Sequence, residues 1–125
     1  MEAGGGERFR RIHRLRSSKD FGRVSREGVR VASRSFVLLV SKQREATGDG
    51  QARLGITVSR RVGNAVVRAR VKRRIREWFR RHQGRAPMRR DLVVIARPAA
   101  AELASSEFEL ELGNLFQRVA KSEAP

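Results

Sequence analysis

"AVVRARVKRRIREWFRR", residues 65–81, carries eight basic side chains and a single acid, Glu77. On a helix turning about 100° per residue, Val67, Val71, Ile75, Trp78 and Phe79 fall within roughly 120° of one another. That is the apolar stripe of a helix packed on a core. Centred opposite it lie Ala69, Lys72, Arg73, Arg76 and Arg80. Arg68 and Arg74 stand at the edges of the stripe, where a long stem rests on apolar surface while the guanidinium reaches outward. A helix of mixed charge is ordinarily a solvated face. Here the signs scarcely mix, and apart from Glu77 the basic side lacks the acids at i,i+4 that would offset repulsion. One face therefore packs and the other is presented to a polyanion, with arginine's planar fork favouring phosphate.

Working outward, Gly84 and Pro87 are stop signals for this helix, and "DLVVIARP" (91–98) is a short apolar strand closed by a proline. Ser106 and Glu109 have capping-box spacing, and Phe108, Leu112, Leu115, Phe116 and Val119 recur at helical intervals behind them. Upstream, Gly63-Asn64 in "RRVGNAV" (60–66) is a turn signal directly before the basic helix. "ARLGITVS" (52–59) alternates, with Leu54, Ile56 and Val58 on one side and Arg53, Gly55, Thr57 and Ser59 on the other. "SFVLLVSK" (35–42) is a more deeply buried strand, and the polar "REATGDGQ" (44–51) between the two predicts an antiparallel hairpin. At the start, "KDFGRVSREG" (19–28) reads as a short helix capped by Ser17 or Ser18 and ended by Gly28.

The order α-β-β-β-α-β-α without internal repeats predicts an α+β fold. Its expected form is a small two-layer sandwich with a mostly antiparallel four-stranded sheet, helices on one face and the other face open. The domain is expected over 14–121, preceded by a flexible basic arm (1–13) and followed by a short tail (122–125).

Composition narrows the function. The chain has 125 residues, 29 Lys plus Arg against 13 Asp plus Glu, and a formal charge of +16, so a nucleic acid is the leading partner. Residues 101–125 hold five acids and two bases, which makes that end scaffold. The absence of cysteine excludes disulfides, thiolate metal sites and cysteine nucleophiles. No stretch has the length of a membrane span and the N-terminus lacks a secretory pattern, so a cytoplasmic protein with no membrane and no small-molecule substrate is expected. "RFRRIHRLRSS" (8–18) has the Arg-rich look of a transit peptide, but the charge continues beyond it, which favours a basic arm. His13 and His82 have no nucleophile or paired carboxylate nearby in sequence and read as surface residues. No phosphate-binding loop or zinc spacing is present. No catalytic or metal-ligating residue is assigned.

The face opposite the stripe offers Lys, Arg and Ala, without the Asn or Gln that would read DNA base edges. An exposed sheet with an aromatic would suit a single strand instead. Phe21 and Phe36 are the candidates for that role, against the plainer reading of each as core.

"RLRSSKDFGRV", "RSFVLLV", "LGITVSRRVGNAVVRARVKRRIRE" and "DLVVIARP" fall in the order and spacing of the bacterial ribonuclease P protein component, over about residues 14–120. "VGNAVVRARVKRRIRE" (62–77) is the specific part, and resembles that family's arginine-rich signature. The resemblance implies a ribonucleoprotein that removes the 5′ leader of precursor tRNA, with catalysis and Mg²⁺ on the RNA subunit. It implies Arg68, Arg70, Lys72, Arg73 and Arg76 as contacts to that RNA, and Phe21, Arg60, Arg61, Asn64 and Arg68 around a cleft for the single-stranded leader. It also implies a ribosomal-protein-like fold, similar to domain IV of elongation factor G, with a left-handed βαβ crossover that ordinary handedness would disfavour. The sequence departs from the pattern at Ala69, where the family usually has Asn, at Ser25 and Leu39, where aromatics occur, and at Arg74, where an apolar residue is common. The rival reading is a ribosomal or RNA-chaperone protein with no part in cleavage. A nonspecific DNA-compacting protein and a protein-only nuclease stand further off.

Overall fold

The computed structural model describes residues 14–15, 18–43, 52–82 and 89–123. The basic arm with His13, the Ser17 cap, the 44–51 loop and the Gly84 and Pro87 stop signals lie outside them. Helix α1 (Ser18–Glu27) leads into strands β1 (Val29–Ala32), β2 (Phe36–Lys42) and β3 (Arg53–Val58). A one-turn 3-10 helix (Arg60–Val62) then introduces helix α2 (Ala65–Arg81). Strand β4 (Arg90–Ala96), a second 3-10 turn (Pro98–Glu102) and helix α3 (Ser105–Glu123) complete the chain.

The four strands lie in the order β1-β2-β4-β3. β1 and β4 both run antiparallel to β2, whereas β3 runs parallel to β4 with Leu54 opposite Leu92 and Ile56 opposite Val94. The hairpin expected between β2 and β3 is therefore absent, because β4 inserts between them. The physical reason is burial. β2 is buried from Phe36 to Ser41 and β4 from Asp91 to Val94. Such continuous apolar runs belong to central strands covered on both sides, while the alternating β3 belongs at an edge. The backbone N–H of Leu15 extends that edge by donating to Leu54 O at 2.8 Å.

Helices α2 and α3 cover one face of the sheet. Val71, Ile75, Trp78 and Phe79 of α2 meet Phe108, Leu112, Leu115, Phe116 and Val119 of α3 over Phe36, Leu38, Val40, Leu54, Leu92 and Val94. Each fully buried large side chain contributes about 1.5–3 kcal/mol, so the stripe of α2 is ample reason for it to dock. Phe36 and Trp78 are core, Phe36 edge-on to Phe108 and Trp78 against Phe116. The other face, expected to be open, carries α1. Val24 and half-buried Phe21 pack on Val37, Leu39 and Val93, with Leu15 beside them. Five consecutive apolar residues, Phe36 to Val40, put apolar side chains on both faces of β2 and so require a cover on each side.

A further difference lies at the start of α3. In place of the capping box expected at Ser106 and Glu109, Glu107 Oε1 accepts the Ala104 backbone N–H at 3.0 Å, the half of such a box that needs no side-chain oxygen at the cap.

Candidate nucleic-acid interface

The local sequence fixes where α2 begins. Gly63 has φ 157°, and a Cβ there would stand 2.8 Å from Val67 Cγ1, so no other side chain is accommodated without strain. Asn64 follows in extended conformation, and its Oδ1 accepts the Val67 N–H at 3.0 Å as an N-cap. The amide expected in the leader cleft therefore has a structural duty, ordinarily worth about 1 kcal/mol. Ahead of it, the 3-10 turn buries Val62 and leaves Arg60 and Arg61 exposed.

With its stripe buried, α2 turns Ala69, Arg70, Arg73 and Arg76 to solvent, with Arg68 and Lys72 half-buried beside them. Among the described residues, Glu77 pairs with Arg80 and Glu109 with Arg81, at 3.4 Å for the latter. Arg68, Arg70, Lys72, Arg73 and Arg76 have no carboxylate partner among those residues. The Glu77 carboxyl is held below the usual carboxylate range, first by its hydrogen bond from Arg80 and further by the charges of Arg80 and Arg81. Arg68 has its Nε sealed from solvent without an acceptor, which leaves only its outer fork for a ligand. Cationic side chains borne along one side of a docked helix form a positive strip, and phosphate is the anion that a guanidinium fork suits.

The remaining candidates are not gathered into one pocket. Phe21 lies on the α1 face of the sheet, opposite the face on which α2 docks. Its ring rests on β3 at Gly55, where a Cβ would come within 2.5 Å of Phe21 Cζ. Thr57, exposed on the same side, continues that strand toward Arg60 and Arg61. The candidate surface thus runs from the α1 side of β3, around the end of that strand, onto the first turns of α2. His82 caps the other end of α2 with its ring stacked 4.4 Å from Trp78, and Nδ1 lies 2.8 Å from Trp78 O.

Three residues matter here that the sequence did not single out. Asp91 is fully buried, and Arg53 donates to it through Nε and Nη2, each at 2.8 Å. Arg23 of α1 donates to the same carboxylate and, at 3.0 Å each, to Ser41 Oγ and Lys42 O. This network anchors α1 to β2 and β4. Only the apolar strand around Asp91 hinted at it, as a charge placed where a core residue belongs.

An α+β domain with a strip of cations along one exposed helix side, the kind of surface that suits a polyanion, is the class that this fold and surface define. Residues 9–120 match the Ribonuclease P family, and the chain belongs to it. The ribonuclease P protein component of Syntrophobacter fumaroxidans is 44% identical over 113 residues, covering 90% of this chain and 92% of that protein. That of Halalkalibacterium halodurans is 39% identical over 110 residues, covering 88% and 90%. Among solved structures, the Staphylococcus aureus RNase P protein superposes with a TM-score of 0.76 at 34% identity, covering 84% of this chain and 93% of that one. The Thermotoga maritima RNase P protein gives 0.75 at 35% identity, covering 85% and 96%. The chain is the protein subunit of ribonuclease P, an endoribonuclease of tRNA processing that works as a ribonucleoprotein. The reading as a ribosomal or chaperone protein without a part in cleavage falls with that assignment. No helix among the described residues is long and apolar enough to cross a membrane.

Proposed function

We propose that this subunit binds the ribonuclease P RNA through Arg68, Arg70, Lys72, Arg73 and Arg76, and holds the 5′ leader of precursor tRNA along Phe21, Arg60, Arg61, Asn64 and Arg68. The observation that carries the reading is the strip of α2 cations without carboxylate partners among the described residues. Neutralising backbone phosphates lets two RNAs approach, and guanidinium contacts position a strand without reading its bases. Phe21 adds a flat surface for a leader base. Contacts to the leader favour precursor over mature tRNA, since the product no longer makes them.

The reading leaves Mg²⁺ to the RNA subunit, where it would supply the metal-assisted hydrolysis, and gives this chain the tasks of binding and orienting. It sets the assembly in the cytoplasm. The test is reconstitution with a bacterial ribonuclease P RNA at low Mg²⁺, measuring leader removal and the affinity for precursor and mature tRNA. Faster cleavage together with a gain confined to precursor is expected. An equal gain for both tRNAs would remove the leader from the proposal.

A further inference from the structure

A groove of about 300 Å³ opens between α2 and the start of α3. On its floor the Arg74 guanidinium lies 4.1 Å from the centroid of the Phe108 ring, and Nη2 donates to Leu103 O at 3.1 Å. This cation is therefore held on an aromatic plane and tied to the backbone ahead of α3. Its Nε and Nη1 donors have no protein partner among the described residues. Arg73, exposed and without a carboxylate, stands at the rim and belongs to the basic strip of α2. The acids of the groove are already engaged, Glu77 by Arg80 and Glu109 by Arg81.

We propose that this groove is a further RNA contact, taking one nucleotide of the RNA subunit with its base laid on the Arg74 guanidinium and its phosphate on Arg73. The proposal rests on the reading of α2 as the RNA-binding helix and extends it around the side of that helix. One feature favours a nucleotide over a bare anion: a guanidinium seated on a ring offers a second flat face, and unpaired bases stack on such planes. Trp78 and Phe108 line the groove but are themselves almost fully buried, so the Arg74 plane is the surface that a base would cover. Continuity with the α2 strip singles out the RNA subunit as the source, since Arg70 and Arg74 are one turn apart. Burial, and then the charge of Arg70, push the Arg74 pKa down, and an anion in the groove would ease that repulsion.

The test uses the full chain and a bacterial ribonuclease P RNA at fixed salt. A photoreactive side chain introduced at position 105, on the groove wall, should cross-link to one defined nucleotide. Arg74→Met should abolish that cross-link and weaken RNA binding about five- to 150-fold, the range of one base stacked on a side chain. Arg74→Lys keeps the charge without the plane and should also weaken binding. Parent-like affinity of Arg74→Lys would overturn the stacking, and the absence of any cross-link from position 105 would overturn the site whether or not Arg74→Met folds. Arg70→Ala separates this failure from that of the underlying reading. If it weakens RNA binding while the groove variants do not, the helix binds RNA and the groove does not; if it too is without effect, the reading of α2 itself fails.

Discussion

Asp91 is a carboxylate without solvent exposure, and two guanidinium groups reach it from different elements. Removing one partner of such a buried group leaves the others uncompensated, typically at about 3–5 kcal/mol. Asp91→Asn should therefore destabilise the protein by an amount of that order in urea unfolding. An unchanged midpoint would mean that packing alone holds α1. Gly55 acts through space rather than charge. A methyl there collides with Phe21, and crowding of this kind costs about 1–3 kcal/mol, relieved if the ring swings off β3. Gly55→Ala is expected to reduce the preference for precursor over mature tRNA while leaving affinity for the RNA subunit unchanged. Equal loss of both affinities would count against a specific role for the Phe21 ring. Alternation in β3 already set Gly55 on the polar side of its strand, but that a ring would need the missing side chain became visible only once α1 was seen on that face.

At the level of the element, α2 illustrates how one short sequence specifies both docking and binding. Gly63 and Asn64 set its start, the stripe from Val67 to Phe79 sets its roll, and the roll alone decides which arginines face out. If all five cations of the strip meet phosphates, log affinity should fall with log salt at a slope of about −3.5 to −4.5, from coefficients of 0.7 to 0.9 per contact. The double variant Arg68→Ala, Arg70→Ala should make that slope shallower by about 1.5 as well as weakening assembly. Filter-binding titrations at several salt concentrations would show it, and a slope identical to the parent's would exclude the pair from the interface. Glu77, on the same helix, is held charged to lower pH than usual by Arg80. The sign follows directly: its small, solvent-screened contribution is full above the unfolded pKa and is lost only as pH falls through the depressed folded value.

For the molecule as a whole, charge is the dominant constraint. A formal +16 on 125 residues opposes compaction through self-repulsion. Raising ionic strength shortens the Debye length from about 30 Å at 0.01 M to about 8 Å at 0.15 M. The melting temperature of the free protein should accordingly rise over that interval when followed by circular dichroism. A fall would indicate that ion pairs such as the Asp91 network outweigh the net repulsion. Phosphate-bearing ligands should raise it further, because they bind the folded strip of cations better than the unfolded chain.

Periodicity in the sequence was enough for the helices, for β2, β3 and β4 and for the outward face of α2, since an apolar pattern dictates its own burial, whereas the four-residue β1 is too short to show one. The arginine-rich signature was likewise legible, because it is contiguous. Other features depend on residues far apart in the chain. The insertion of β4 between β2 and β3, the covering of the second sheet face by α1 and the meeting of Arg23, Arg53 and Asp91 all arise when separate segments compete for the same buried surface. Local pattern states what each segment must hide; only the folded chain determines what it hides against.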